Sequence, residues 1–382
     1  MNKIVREPLQ IAIDGRVLVM SPTGIGRYTR SILGTLAAQH GENFQAVFFT
    51  HAPVTDHGFW PLEFKQKVIP FPTPMIFRPI WDHILLPGAV RRQGPFDLFF
   101  SPLSVVPRNL GIPTVATVHD LAFFFLPEIQ PFKYRFYWCR AIRTVARHAS
   151  RIIAVSESTR ADLEQLFPGV GKKTAVIHEA PASQFSEDTG SGKDFDIAPL
   201  GRYFLAVGTL EPRKNYPFLL RVFSELVRFP GCENLKLVIA GGPGWGSREI
   251  ERLMAEAGPW LVRLNYVPYN QLPDLYRGAV ALVFPSLYEG FGLPAIEALA
   301  CGTPVIASDS SSLPEVIGDA GVLLPLNNLD DWVRMMSKMA LEDPFRKLFT
   351  LRGPEQARKF SWERAACQTW EVFQEVAGYR RS

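Results

Sequence analysis

The chain has no apolar run of about 18 residues, the length that crosses a bilayer, so no membrane-spanning helix is expected. Its first residues, MNKIVREPLQIAIDG, lack the apolar centre of a secretory signal, so export by that route is not expected either. Cysteine is scarce: Cys139, Cys232, Cys301 and Cys367 are the only four in 382 residues, and they are scattered without metal-ligand spacing. Small or apolar neighbours suggest buried, reduced thiols of a cytoplasmic protein. An excess of one charge is missing too. Lysine and arginine number 41 against 37 acids, a net charge of +4. That suits an anionic small ligand or an anionic surface and is too mild to argue for nucleic acid. No His/Asp cluster suggests a metal, and Asp330-Asp331 reads as a helix cap.

At this length two domains are expected. Short apolar runs at residues 11–14, 46–50, 98–101, 114–118 and 152–155 read as buried strands, with helical spacing over 27–39 (Tyr28, Ile32, Leu33, Leu36). SQFSEDTGSGKDFDIAPL, residues 183–200, breaks the pattern as an interdomain linker. A second series follows, with strands at 203–207, 235–240, 279–284 and 304–308 and helices at 216–228 and 248–257. The fold expected is α/β: two doubly wound, Rossmann-like domains, 1–185 and 201–360, joined by a linker at 186–200 and facing across a cleft. A terminal helix, 361–382, is expected to pack back on the first domain. Ligands of such sheets bind beyond the carboxyl ends of the strands.

The stretch PSLYEGFGLPAIEALACGTPVIASD, residues 285–309, places Glu289 and Glu297 eight residues apart around Gly290-Phe291-Gly292-Leu293. Pro294 suits the first turn of a helix and Gly302 the position after its end. Residues 290–293 then open that helix, where free N–H groups and the helix dipole favour a phosphate. One glutamate would hold a sugar and the other a ribose. The alternative is that Glu297 merely complements the dipole and Glu289 is a solvated loop residue.

This stretch resembles the E-x7-E signature of the retaining glycosyltransferases with the GT-B fold, glycosyltransferase family 4 or group 1. The resemblance extends over nearly the whole chain, through the N-terminal glycine loop, a histidine after a first-domain strand, and GTLEPRKN. It implies transfer of a sugar from a nucleotide diphosphate sugar with its anomeric configuration kept. By the same resemblance Glu289 binds sugar hydroxyls and Glu297 the ribose. Backbone N–H groups of Phe291, Gly292 and Leu293 would meet sugar and phosphates.

GTLEPRKN follows a strand, so Arg213 and Lys214 lie near its carboxyl end. Two adjacent cations suit a diphosphate that gains charge as the sugar leaves. Lys214 matches the family's phosphate lysine. Thr209 stands where the family often has arginine, and Arg213 is expected to supply that charge. SPTGIGRYTR puts Gly24 and Gly26 in a loop between strand and helix. It is a weak dinucleotide fingerprint, since Thr29 holds the third glycine position. The resemblance sets this loop beside the donor phosphates. His119 leaves a buried strand at its carboxyl end, and the family has a matching histidine near the donor sugar. Asp120 would orient His119 or reach the acceptor. Gly241, in AGGPGWGS, is expected in the nucleotide pocket, and the backbone around Val267 and Tyr269 against the base.

PFKYRFYWCRAIRTVARHASR, residues 131–151, carries many cations and no acid, with Phe132, Phe136, Tyr137 and Trp138 between them. It reads as a core helix with a basic outer face or as contact with an anionic membrane. The proline-aromatic stretch 71–93 is a second candidate for acceptor or membrane contact.

The reading is a metal-independent hexosyltransferase without a cofactor, at the cytoplasmic face of the cell membrane. Its partners would be a nucleotide-sugar donor and a saccharide or lipid-linked acceptor. GTLEPRKN with the HDL segment looks most like bacterial mannosyltransferases of polysaccharide assembly, hence GDP-mannose, with UDP-hexoses open. Rival readings are an NAD(P)-dependent enzyme, which lacks the full G-x-G-x-x-G, a non-catalytic nucleotide-sugar-binding protein, and a GT-B enzyme of another reaction type.

Overall fold

A computed structural model describes residues 7–19, 24–54, 64–71, 78–186 and 195–378. It divides into two compact units: residues up to Glu179 together with those from Ser361, and Ala180–Phe360.

The first unit carries seven strands: β1 (Leu9–Asp14), β2 (Phe44–Thr50), β3 (Lys65–Val68), β4 (Leu98–Ser101), β5 (Thr114–Val118), β6 (Arg151–Ala154) and β7 (Thr174–Val176). They pair in parallel in the order β3-β2-β1-β4-β5-β6-β7. The inner strands are mostly apolar or β-branched, and every residue of β4 and β5 is buried, as a sheet covered on both faces requires. The helix Gly24–His40 buries Tyr28, Ile32, Leu33 and Leu36 on one face. It starts three residues earlier than its apolar spacing suggests. Gly24 and Gly26 therefore lie in its first turn and not in a loop, because glycine at a helix start costs little. Residues 20–23, expected as part of that loop, lie outside the described residues.

The last helix, Trp362–Val376, packs against Gly24–His40. Trp370 stacks on His40 at 5.1 Å and Phe373 meets Phe100 at 5.0 Å. Ser361 caps it by accepting the Arg364 N–H. Cys139, Cys232 and Cys301 are buried, but Cys367 is exposed on the outer face of this helix, against expectation.

The second unit has six strands: β8 (Tyr203–Val207), β9 (Lys236–Ala240), β10 (Leu261–Leu264), β11 (Leu282–Phe284), β12 (Val305–Ser308) and β13 (Val322–Leu324), in the order β10-β9-β8-β11-β12-β13. In each sheet the strand order reverses at one inner pair, β1/β4 and β8/β11. That is the place where open parallel sheets take ligands.

The stretch expected as a linker is not a free connector where it is described. Gln184 Nε2 donates to the Tyr269 carbonyl at 2.8 Å, Phe185 is buried against Tyr269 and Tyr276, and residues 198–200 form a 3-10 turn ending on buried Leu200. Apolar side chains at both ends draw it onto the second unit. Its polar centre, 187–194, lies outside the described residues. Among the described residues no helix is long and apolar enough to cross a membrane.

Candidate active site

At the reversal point of the second sheet, β8 and β11 run side by side and their loops part at the carboxyl ends. The loop after β8 ends in the 3-10 turn Pro212–Lys214. The loop after β11, residues 285–292, opens into the helix Leu293–Ala300. The two are pinned together. Leu287 N–H donates to the Arg213 carbonyl at 2.9 Å, and Arg213 Nη1 donates to the Tyr288 carbonyl at 2.8 Å.

Glu289 lies in that corner, 6% exposed. Lys214 Nζ donates to its Oε1 at 2.7 Å and Arg213 Nη1 to its Oε2 at 2.5 Å. The buried Lys214 ammonium also sits 4.6 Å from the centre of the Phe284 ring. Burial alone drives the Glu289 carboxyl upward, but the two cations outweigh it and hold it at about 2. Burial lowers Lys214 from its ordinary value, with Glu289 opposing. Glu211 also reaches this corner, 3.8 Å from Arg213, so the two cations stand among two carboxylates. Such a corner can accept an anion through charge-assisted hydrogen bonds.

Gly292 caps the adjoining helix at φ +102°, and a Cβ there would come within 2.8 Å of Leu313 Cδ2. Only glycine meets both conditions. The N–H groups of Gly292 and Leu293 open the helix and have no intrahelical acceptor. Gly290 and Phe291 are buried beside them, and the Phe291 ring packs edge-on against Phe360. Ser312 Oγ donates to the carbonyls of Glu289 and Phe291 at 3.0 and 2.9 Å, and Glu289 N–H donates to Ser311 Oγ at 2.7 Å. The backbone at Glu289 and Phe291 is thereby tied to Ser311 and Ser312.

Glu297 is 1% exposed on the same helix. Tyr269 and Tyr276 donate their hydroxyls to its two oxygens, each at 3.0 Å. Glu289 is therefore no solvated loop residue, and Glu297 does not merely complement the dipole from the surface. The Tyr269 backbone carbonyl accepts from Gln184 Nε2 at 2.8 Å, while its hydroxyl meets Glu297. Val267 is half-buried just before that turn.

Gly241 follows β9 in close approach to the loop after β8. A Cβ there would stand 1.9 Å from the Gly208 carbonyl oxygen. Leu210 N–H also donates to the Gly242 carbonyl at 3.0 Å, so the loops after β8 and β9 lie backbone against backbone. The glycine is needed for that approach. Thr209 is exposed on the same loop.

In the first unit His119 follows β5 and has a partner at each ring nitrogen. Nε2 is 2.8 Å from the Pro102 carbonyl and Nδ1 is 3.1 Å from Glu179 Oε1. The Tyr28 ring stands edge-on to it at 4.7 Å. Asp120 does not orient it. Its carboxylate accepts the Ala122 N–H at 3.2 Å, because a short helix begins there and needs a cap. Glu179 holds the ring instead. Sequence reasoning missed Glu179, Tyr276, Ser311 and Ser312. An acid three residues past the end of β7, in VIHEAP, is the signal that marks Glu179. The tyrosine and the serines carry none.

Two family profiles match the chain: Glycosyltransferase Family 4 over residues 22–180 and Glycosyl transferases group 1 over residues 193–356. The chain is 30% identical over 381 residues to the O-antigen chain mannosyltransferase B of Escherichia coli, covering 92% of this chain and 96% of that protein. It is 27% identical over 294 residues to the serotype-specific mannosyltransferase WbdA of Escherichia coli, covering 71% of this chain and 34% of the longer protein. Among solved structures, WaaG, a glycosyltransferase involved in lipopolysaccharide biosynthesis, superposes with a TM-score of 0.75 at 15% identity, over 97% of this chain and all of that one. With its two parallel-sheet units of the GT-B fold, the chain belongs to the group 1 glycosyl transferases, glycosyltransferase family 4.

Proposed function

We propose that the protein transfers mannose from GDP-mannose, with retention, onto a saccharide or lipid-linked saccharide in the assembly of a cell-surface polysaccharide of the O-antigen kind. The observation that carries this reading is the buried Glu289 carboxylate held between Arg213 and Lys214 beside the Gly292–Leu293 helix start. The two mannosyltransferase relatives support the sugar.

In the reaction the bond from the sugar's anomeric carbon to the diphosphate oxygen breaks, and a bond to the acceptor oxygen forms on the same face. The acceptor's proton passes to the departing phosphate. Charge grows on the diphosphate, and Arg213, Lys214 and the amides of Gly292 and Leu293 are the donors that stabilise it. Glu289 takes sugar hydroxyls, Glu297 the ribose, and His119 stands near the donor sugar. With two cations at the leaving group the scheme needs no divalent metal, so chelation should leave the rate unchanged.

A membrane contact on the cytoplasmic side fits the helix Phe132–His148. Its inner face buries Cys139, Ala141, Ile142, Thr144 and Val145, while Phe132 and Phe136 are 77% and 61% exposed among cations. Binding to vesicles containing anionic lipid, weakened when both phenylalanines become serine, is the expected result. Equal binding of the serine variant would rule out that face.

The central test incubates the protein with a panel of nucleotide sugars and a lipid-linked saccharide and measures released nucleoside diphosphate. Release from GDP-mannose, with the α linkage kept in the product, is expected. Preference for a UDP-hexose overturns the sugar, an inverted product overturns retention, and no release from any donor overturns the transferase reading.

A further inference from the structure

The His119–Glu179 contact obeys a hydrogen-bond accounting that fixes more than the ring's position. A carbonyl oxygen only accepts, so Nε2, 2.8 Å from the Pro102 carbonyl, carries a hydrogen. A neutral imidazole has no second one, and its Nδ1 would be a bare acceptor. An ionised carboxylate is an acceptor too. Yet Nδ1 and Glu179 Oε1 are 3.1 Å apart, with the Glu179 and His119 side chains 6% and 11% exposed. Two bare acceptors do not settle at that distance where little water reaches them. One proton therefore lies between them, and imidazole is the more basic of the two groups.

The ring is also held from a third side. Tyr28 meets it edge-on at 4.7 Å with the planes at 83°, and the buried Tyr28 hydroxyl lies 3.0 Å from Thr117 Oγ1.

We propose that Glu179 is a positioning residue for His119, and that it keeps the ring as an imidazolium with both nitrogens engaged inside the first unit. His119 then offers a substrate a fixed positive charge rather than a proton or a free N–H. The catalytic consequence rests on the glycosyltransferase reading, and the protonation does not.

The test uses the full chain with 15N-labelled histidine, His119 being assigned by the signals lost in His119→Asn. Two protonated ring nitrogens are expected in the unaltered protein at neutral pH. Glu179→Gln, which keeps the shape and removes the charge, should leave one protonated and one bare nitrogen. Glu179→Asp should keep both, and it serves where the glutamine variant does not fold. A bare nitrogen at His119 in the unaltered protein, or the unaltered spectrum in Glu179→Gln, overturns the proposal. In the transfer assay Glu179→Gln should lower kcat about 10–100-fold with the donor KM within about twofold. Transfer at full kcat overturns the positioning role. The two-proton signature without transfer from any nucleotide sugar leaves the positioning intact and sinks the glycosyltransferase reading instead.

Discussion

Glu289 and Glu297 stand eight residues apart, both almost fully buried, in opposite electrical surroundings. Glu289 is gripped by an arginine and a lysine. Glu297 is held by two phenol hydroxyls that carry no charge. Burying a carboxylate is costly unless it is paired or hydrogen-bonded, and each has found a different solution. The difference divides the labour of the corner. Beside Glu289 there are two cationic donors, which can stabilise a leaving diphosphate. Around Glu297 two phenol hydroxyls form a hydrogen-bonding cradle, suited to reading a polyhydroxy group.

The sharpest way to break this comparison is to remove the charge on one side. Lys214→Met should lower transfer about 10²–10³-fold, because a donor to the departing phosphate is lost. Circular dichroism should still show a folded chain, since Arg213 keeps its hold on Glu289. Steady-state release of nucleoside diphosphate measures the effect, and a loss below about fivefold would mean that the leaving group is stabilised elsewhere.

Acid should act on one glutamate's corner through a known sign. The Glu289 carboxyl is held at about 2, below its unfolded value of roughly 4.3. A depressed carboxyl contributes stability that is fully present above the unfolded value and is lost as pH falls through the folded one. At neutral pH that contribution is on the order of 3 kcal/mol. Glu289→Gln cannot titrate and leaves both cations facing an amide. Its urea midpoint should lie well below that of the unaltered chain at pH 7, and the gap should close between about pH 5 and 2. A gap constant across that range would show that the ion pair does not set the difference.

On the other side, Glu297→Gln should weaken binding of the free nucleotide about tenfold while kcat at saturating donor stays within about threefold. Isothermal titration gives the first number. Unchanged affinity would remove Glu297 from the ribose.

Most of the architecture was legible because parallel strands buried on both faces must be apolar, and helices must alternate with them. β4, β5 and β8 match the apolar runs residue for residue. The Glu289 corner was legible for a related reason: Gly292 and Pro294 announce a helix start, and Arg213 and Lys214 announce charge at a strand end. What stayed hidden depends on distant pairing. Nothing local to Asp120 shows that its carboxylate will cap Ala122, or that Glu179, 60 residues on, will hold His119. Gly241 is similar, since its need for a bare Cα comes from the Gly208 carbonyl on another loop. The glycines at 24 and 26 looked like a loop because their sequence neighbours are turn formers, yet Tyr28 and Ile32 pull the first turn into the helix.

The smallest effect separates the two phenols of the cradle. Tyr276 is fully buried and its hydroxyl meets Glu297 Oε2, while Tyr269, half-buried, meets Oε1. Tyr276→Phe removes a donor from a carboxylate oxygen where water has no easy entry, which should cost about 1–2 kcal/mol. Tyr269→Phe removes the matching donor where water can take its place, so less than about 1 kcal/mol should be lost. Urea denaturation of the two variants side by side reads the difference directly. Equal midpoints would mean that solvent reaches both oxygens alike, and the contrast between a phenol-lined cradle and an ion-paired corner would then have to be given up.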